Sequence, residues 1–317
     1  MRMFNNMLSF KLASAMAIFL GTAQHTAFAQ EQVSVFSLDQ NRNQISVSVP
    51  VNPNNVAVAD YAILDIMDRL DLGNKITGVT ATGAVPEYLK KYQDNQQLTN
   101  IGTVKELDLE KLMALEPEVI FIGGRLAAKY EELSAIAPVV FLSVDYDEPL
   151  IESVKRNTST IASLFQTQGK AQELIKSFED RISKLKEQAQ GKSAVVGMVN
   201  ATQFKTLGNT GRCSMIGRDI GFNNLSKDIV ATHGNESSFE LLLKLNPEYI
   251  FILDRDSAIA TQGAKLAKDV MNNELVHKTD AFKNNKITYL NSAVWYLSEG
   301  GLTATDLMLQ DLETALK

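Results

Sequence analysis

The chain has 317 residues, of which 31 are basic and 37 acidic, giving a formal net charge of −6. This length allows one large or two medium-sized domains, and the acidic balance disfavours nucleic-acid binding, which depends on basic side chains. The single cysteine, Cys213, excludes an intrachain disulfide. A chain of this size can bury enough apolar surface to fold without such a cross-link.

The first 29 residues have the pattern of a secretory signal peptide. Arg2 and Lys11 are basic, residues 12–20 form a short apolar core, and residues 27–29 (Ala-Phe-Ala) make a small-x-small cleavage site. An apolar core of about nine residues is too short for a membrane span, which needs roughly 20. No cysteine lies near the cleavage site, so we expect an exported, soluble, periplasmic protein without a lipid anchor.

The next part of the chain, residues 30–147, alternates strands with helices and predicts an N-terminal lobe. Residues 30–50 alternate apolar and polar side chains around a polar turn at 39–43, a pattern typical of a β-hairpin. Short apolar runs predict buried strands, and apolar residues at helical spacing predict helices between them. The predicted strands are 56–59, 76–79, 119–122 and 139–142, and the predicted helices are 61–70, 86–92 and 127–136.

Residues 148–190 have a different composition, with Gly169 as their only glycine and no proline after Pro149. Apolar spacing predicts two consecutive helices. The first, of about 18 residues, would be about 27 Å long. We expect the helix at 148–167 to connect two lobes, with a coiled-coil arm as the alternative.

Residues 168–317 repeat the pattern of the N-terminal lobe and predict a C-terminal lobe. Strands are expected at 194–199 and 286–290, an extended segment at 204–207, and helices at 215–220, 266–271 and 302–316. Alternating strands and helices indicate mainly parallel sheets covered by helices. The whole chain is therefore predicted to be an α/β protein with two lobes around a cleft.

One stretch of 18 residues occurs twice and supports the two-lobed interpretation. Residues 108–125 and 238–255 are identical at nine positions. Each copy begins with a good N-cap residue, continues as a short helix, turns at a proline and ends as a buried strand followed by an arginine. Because ligands of open α/β sheets bind at the carboxyl ends of the strands, Arg125 and Arg255 are candidate ligand-binding residues.

A third arginine, Arg212, lies in a glycine-containing loop after a strand. The guanidinium group is always charged, and its planar set of donors suits oxyanions. Three arginines converging on one cleft would select a small polyanion. A surface salt bridge is the alternative role for each arginine alone.

Other side chains that carry chemistry are scarce. The sequence contains no nucleophile elbow, phosphate-binding loop, dinucleotide fingerprint or His-Glu-x-x-His motif. Beyond the signal peptide only His233 and His277 remain, too few for a histidine-rich site for bare metal ions. A nucleophile pair of Cys213 and His233 is conceivable, but a buried structural cysteine is the favoured interpretation. Tyr296 follows the last predicted strand beside Trp295 and is a candidate oxygen ligand for ferric iron.

These residues resemble a known family, the periplasmic siderophore-binding proteins of bacterial iron-uptake ABC transporters, and in particular the ferric-catecholate type that includes the CeuE and FatB proteins. The resemblance covers nearly all of the mature chain, and its most specific part combines the three arginines with the Thr-His-Gly and Trp-Tyr-Leu segments. The matching segments are Val58–Asp65, Ile101–Lys105, Leu115–Ile120, Gly124–Arg125, Gly211–Arg212, Thr232–Gly234, Leu245–Phe251, Asp254–Arg255 and Val294–Leu297.

The resemblance implies a class III periplasmic-binding-protein fold and specific roles for individual residues. Arg125, Arg212 and Arg255 would neutralise a ferric-catecholate complex, and Tyr61 and Trp295 would line the same site. His233 and Tyr296 would coordinate the ferric iron directly when the siderophore supplies only four donor atoms. Glu110 and Glu240, near the helix start of each copy, would dock onto the permease, although ordinary first-turn helix charges are the alternative.

The expected function is therefore the capture of ferric catecholate siderophores of the enterobactin or vibriobactin kind. A monomer with no permanently bound cofactor would deliver this cargo to an inner-membrane ABC permease and its ATPase. A periplasmic haem-binding protein is the alternative within transport, with Tyr296 or His233 as axial ligand. An exported hydrolase using Cys213 or a serine is the alternative from another class, and we expect no enzymatic activity.

Overall fold

The computed structural model of the protein describes residues 31–228, 235–236 and 238–317. The predicted signal peptide and His233 lie outside the described residues. The described chain begins with an antiparallel hairpin of β1 (Gln32–Leu38) and β2 (Gln44–Pro50), as the alternating sequence predicted.

The first large sheet has five strands in the described part of the chain, and all of its neighbouring strands are parallel. Its spatial order is β5-β4-β3-β6-β7, so the direction of strand addition reverses between β3 and β6. Such a reversal opens a crevice at the carboxyl ends of the two strands. The strands are β3 (Val56–Val58), β4 (Ile76–Val79), β5 (Thr99–Asn100), β6 (Val119–Ile122) and β7 (Val139–Phe141).

Short helices follow the strands of this sheet. All four residues of β6 are buried, which explains why its sequence is a continuous apolar run rather than an alternating one. The helices are α1 (Tyr61–Arg69), α2 (Lys90–Gln93), α3 (Leu109–Leu115) and α4 (Tyr130–Ser134).

Two long helices follow β7. We call residues 31–147 the first half and residues 190–317 the second half. The helix α5 (Leu150–Phe165) contacts the second half at its start, where the backbone amides of Leu150 and Ile151 donate to Asp219. It contacts the first half near its end, where the Leu164 carbonyl accepts a bond from Asn52 N. The helix α6 (Gln168–Ala189) then runs antiparallel to α5, with Lys155 paired to Glu179. The sequence placed the connection at residues 148–167; in the structure α6 carries the chain from the end of α5 to the second sheet.

The second large sheet has six described strands and a mixed topology. Its path is β11-β9-β8-β12-β13, with β10 also paired to β8, and β9 runs antiparallel to β8. The residues expected only to be extended, 204–207, are therefore part of a second hairpin. The strands are β8 (Ser193–Asn200), β9 (Gln203–Leu207), β10 (Asn223–Asn224), β11 (Asn235–Glu236), β12 (Tyr249–Asp254) and β13 (Ile287–Tyr289).

The remaining helices surround this second sheet. Tyr296 was expected at a strand end but lies within a short helix after the last strand. The helices are α7 (Met215–Arg218), α8 (Phe239–Leu245), α9 (Arg255–Ala258), α10 (Ala267–Met271), α11 (Glu274–His277), α12 (Asp280–Lys283), α13 (Ser292–Leu297) and α14 (Leu302–Ala315).

The duplicated stretch forms the same local structure in both halves. Asp108 caps α3 by accepting a bond from Lys111 N, and Ser238 caps α8 by accepting one from Leu241 N. Each helix ends at a residue in the left-handed conformation, Glu116 and Asn246. The strands that follow, β6 and β12, are each flanked by strands on both sides, so both arginines emerge near the centre of a sheet.

The last helix ties the two halves together. Asp65 of α1 is fully buried and accepts bonds from the backbone nitrogens of Thr303 and Ala304, at 2.9 and 2.8 Å. It thereby caps α14 from the other half of the chain. In the described residues no helix has the length and apolar character that a membrane span requires.

Candidate functional site

A cleft with a volume of about 820 Å³, including its open mouth, lies at the crevice predicted by the sheet topology. Its walls come from both halves: from the residues that follow β3, β6 and β7, and from the loop after β9 and the helix α13. The N-terminal hairpin contributes Arg42. The cleft therefore has arginine and carboxyl side chains on its walls together with apolar residues of α1.

Arg125 enters the cleft because two glycines precede it. A Cβ atom on Gly123 would lie 2.0 Å from Asp60 Oδ2, and one on Gly124 would lie 2.8 Å from Arg42 Nη2. Both φ angles are ordinary, so the requirement for glycine is the close approach of these two side chains. Asp60 is thereby free to cap α1 by accepting bonds from Ala62 N and Ile63 N.

Arg212 enters from the second half on a tightly turned loop. Gly211 and Cys213 on either side of it have φ angles of 104° and 62°, both in the left-handed region. The Arg212 guanidinium carbon lies 4.1 Å from the centre of the Tyr296 ring, which is cation–π geometry. Its Nε is buried and has no hydrogen-bond partner among the described residues.

Three arginines from different parts of the chain converge on Tyr296. Arg125 Nη2 and Arg212 Nη1 donate to its backbone carbonyl oxygen at 3.0 and 2.8 Å, and Arg255 Nε donates to its hydroxyl oxygen at 3.2 Å. A guanidinium has five N–H donors, so each arginine keeps donors beyond these bonds. The predicted grouping of the three arginines with Tyr296 is thus present in the geometry.

Arg255 has a different position from the other two arginines. Arg125, Arg212 and Tyr296 line the cleft, whereas Arg255 does not. It lies behind the Tyr296 hydroxyl and also bonds Asn200 Oδ1 at 3.1 Å. In the described part of the chain, Arg255 therefore contacts a residue that lines the cleft and is not itself among the lining residues.

Two buried carboxyl groups share the cleft with these arginines. Burial raises the pKa of Asp60 against the opposing effect of Arg125, and burial raises the pKa of Glu299 against that of Arg212. Glu299 also accepts a bond from the Tyr146 hydroxyl at 2.9 Å. Both carboxyl groups therefore hold their protons more tightly than exposed carboxyl groups do.

Several other predicted residues lie away from the cleft surface. Tyr61 is 1% exposed and Trp295 is 0% exposed, and neither lines the cleft. Burial raises the pKa of Tyr61 to about 12, and the Trp295 indole donates to Asp311 at 2.8 Å. Both side chains therefore support the site from the core, and their expected direct contact with a ligand does not fit this placement.

The remaining candidates divide into surface and core positions. Glu110 and Glu240 are exposed in the first turns of α3 and α8. His277 bonds Asn272 and stacks near Phe282, as expected for a structural histidine. Cys213 is buried, and burial raises the pKa of its thiol well above its usual range, which disfavours a nucleophilic role.

Sequence reasoning missed two residues of the cleft, Arg42 and Glu299. Arg42 belongs to the turn of the N-terminal hairpin, and only tertiary packing brings that turn to the cleft. Glu299 follows Tyr296 by three residues, and its neighbour Gly300 also lines the cleft. Nothing in the sequence distinguishes Glu299 from a surface carboxylate.

The chain is similar to known proteins in both sequence and fold. A family described as "Periplasmic binding protein" matches residues 56–294. The chain is 33% identical over 292 residues to the petrobactin-binding protein YclQ of Bacillus subtilis, a match that covers 91% of this chain and 89% of YclQ. The crystal structure of YclQ superposes with a TM-score of 0.84 at 32% identity, covering 91% of this chain and 99% of that one.

Two proteins of Vibrio species are also similar. The ferric-anguibactin-binding protein FatB of Vibrio anguillarum is 25% identical over 281 residues, which cover 87% of this chain and 85% of FatB. The periplasmic catecholate-siderophore binding protein VctP of Vibrio cholerae superposes with a TM-score of 0.81 at 26% identity, covering 90% of this chain and 100% of the other.

Proposed function

The chain belongs to the periplasmic binding protein family, and from that premise we propose that it captures ferric catecholate siderophores in the cleft and delivers them to an inner-membrane ABC importer. Its two-lobed α/β architecture is the class III fold of the family, as the sequence predicted. The similar proteins YclQ, FatB and VctP are each described by name as binding a siderophore. Because arginine side chains line the cleft, we propose in particular a cargo of the enterobactin or vibriobactin kind.

The observation that carries the proposal is the convergence of Arg125, Arg212 and Arg255 on Tyr296. A ferric tris-catecholate has three negative charges, and planar guanidinium donors suit its oxygen atoms. The same cleft contains apolar side chains of α1, including Ile63 and Ile66, which can pack against aromatic rings. Arg255 would act through Tyr296, while Arg125 and Arg212 would contact the cargo.

We further propose that Tyr296 and His233 complete the coordination of iron when the siderophore supplies four donor atoms. Such a complex leaves two positions of the octahedron open, and one phenolate oxygen and one imidazole nitrogen would fill them. Tyr296 lines the cleft in a helix whose neighbours hold it firmly, because Trp295 beside it is fully buried. We propose this coordination only for iron that the siderophore leaves partly unchelated.

A titration of the purified protein with four ferric compounds tests the function. They are a hexadentate tris-catecholate, a tetradentate bis-catecholate, a hydroxamate siderophore and haem, and the readout is quenching of Trp295, the only tryptophan in the chain. Both catecholates are expected to bind. Arg125→Ala combined with Arg212→Ala should weaken this binding by about 100-fold, since each lost charge-assisted bond contributes roughly 1.5 kcal/mol or more.

The controls separate charge from coordination. Arg69→Ala removes an exposed arginine of α1 and should leave the affinity unchanged. Tyr296→Phe and His233→Ala should weaken binding of the tetradentate complex more than that of the hexadentate one; equal losses would contradict direct coordination. Binding of haem with a Soret band, and of neither catecholate, would replace the proposal with a haem carrier.

A further inference from the structure

Arg42 is held in an uncommon backbone conformation by the turn of the N-terminal hairpin. Its φ angle is 66°, in the left-handed region that residues other than glycine seldom adopt. Asp39 fixes the turn: its backbone carbonyl accepts a bond from Arg42 N, and its carboxylate accepts bonds from Asn41 N and Asn43 N. The turn therefore holds residue 42 in one defined orientation at the end of the hairpin.

This turn directs the Arg42 side chain to the mouth of the cleft. Arg42 Nη1 donates to Ser143 Oγ at 3.2 Å, and the guanidinium lies 5.9 Å from the centre of the Phe141 ring. Its Nη2 approaches Gly124 so closely that a Cβ atom there would be 2.8 Å away. Gly124 immediately precedes Arg125, so Arg42 lies beside the part of the chain that carries a cargo-binding arginine.

Among the described residues, no acidic side chain lies within ion-pair distance of the Arg42 guanidinium. The nearest carboxylate along the chain, Asp39, instead accepts bonds from the turn and from Asn43 Nδ2. Arg156, the other arginine near the hairpin, is by contrast paired with Glu148 at 2.6 Å. Arg42 is therefore the hairpin-side guanidinium whose charge remains available to an anionic ligand.

Arg42 also lies where the cleft meets a second cavity. It lines the cleft and an adjoining groove between the hairpin and the segment after β7, and Ser143, Val144 and Tyr146 line both cavities as well. A ligand that extends from the cleft into the groove must pass this guanidinium. The position suits a contact with the outer part of a cargo whose centre lies near Tyr296.

We propose that Arg42 is a fourth cargo-binding arginine, which binds an anionic oxygen of the ferric siderophore at the mouth of the cleft. The inference rests on the proposed function. An exposed arginine on a surface turn usually has no ligand; here the left-handed backbone, the close contact with Gly124 and the place between two cavities are three separate constraints on one side chain.

The test compares Arg42 variants with the wild type by fluorescence titration, using the ferric tris-catecholate as ligand. Arg42→Ala is expected to weaken binding about tenfold, the effect of one exposed charge-assisted bond, and to reduce its dependence on salt concentration. Arg42→Lys should recover part of the affinity, because it restores the charge without the planar donors. Arg69→Ala is the matched control.

A double-mutant cycle with Gly124→Ala then tests the position of the guanidinium. The added methyl group must displace Arg42 Nη2, so Gly124→Ala should weaken binding in the wild type and weaken it much less in Arg42→Ala. Additive losses would overturn the proposed contact. Wild-type protein that binds no ferric catecholate contradicts the proposed function, whereas tight binding unchanged in Arg42→Ala contradicts the role of Arg42 alone.

Discussion

Glu299 is, with Asp60, one of two carboxyl groups among the described residues that line the cleft beside Arg42, Arg125 and Arg212. It is 8% exposed and accepts bonds from the Tyr146 hydroxyl and from Cys213 N, at 2.9 and 3.3 Å. Burial raises its pKa, and the nearby Arg212 only partly opposes this effect. The folded protein therefore binds a proton at Glu299 more tightly than the unfolded chain does.

This difference predicts how stability depends on pH. The contribution of Glu299 is fully present below the ordinary carboxyl pKa of 4.5 and is lost as pH rises through the folded-state pKa. Glu299→Gln removes the titration, so the unfolding free energy of the variant relative to wild type should increase over that range. The gain is about 1.4 kcal/mol for each unit by which the pKa is raised. Urea unfolding at several pH values measures it, and a difference that does not change with pH would contradict the argument.

At the scale of single residues, the sequence predicted those positions that follow a local pattern. Arg125 and Arg212 both contact Tyr296, as predicted. Their positions were predictable because strand ends and glycine-containing turns can be recognised from the local sequence. Arg42 and Glu299 were missed because their places depend on contacts between distant segments. Tyr61 and Trp295 were expected on the surface of the cleft but are buried in the core, since a sequence does not show which face of a helix the core covers.

At the scale of elements, the duplicated copies were predictable because their signals are local. N-caps, helical spacing and a buried apolar run specify α3 with β6 and α8 with β12. The antiparallel direction of β9 was not predictable, because an extended segment takes its direction from its partner strand. The arrangement of α5 and α6 between the two sheets was likewise not predictable, because it depends on how the helices pack and not on a local sequence pattern.

The two copies also present Glu110 and Glu240 on the protein surface, and we propose that these carboxylates dock onto the permease. Glu110→Ala combined with Glu240→Ala is expected to leave cargo affinity unchanged and to abolish uptake in vesicles that contain the cognate importer. Removal of Glu173 and Glu187, two exposed carboxylates of α6, is the matched control. Normal uptake by the first double variant would limit both glutamates to stabilising the first turns of their helices.

At the scale of the whole molecule, Asp65 joins the two halves through the helix α14. Besides the amides of Thr303 and Ala304, it accepts a bond from the Tyr88 hydroxyl at 2.9 Å, and burial raises its pKa to about 6. A Cβ atom on Gly301 would lie 2.2 Å from Asp65 Oδ2, so the helix start fits closely around the carboxylate. The closeness of this fit should limit the movement of the halves.

Removal of this carboxylate should therefore destabilise the whole protein. Asp65→Ala removes the acceptor of the Thr303 and Ala304 amides, whereas the Tyr88 hydroxyl keeps its bond to Ser298 Oγ. We expect a loss of about 2 kcal/mol or more in the free energy of unfolding, measured in urea. Asp108→Ala, which removes the more exposed cap of α3, should cost only about 1 kcal/mol. Equal losses for the two variants would show that the link between the halves contributes little.

The link through Asp65 also has a consequence for how the chain folds. Asp65 and its partner amides are 238 and 239 residues apart in sequence, so the ribosome completes α1 long before α14 exists. Contacts of such long range form late and slowly, because the ends of a very long loop must meet first. Until the last helix docks, Asp65 would therefore keep its bond from the Tyr88 hydroxyl but lack the two amides that it caps in the folded protein. A chain that lacks only its final helix would lose both of these bonds, although every described residue that lines the cleft precedes that helix.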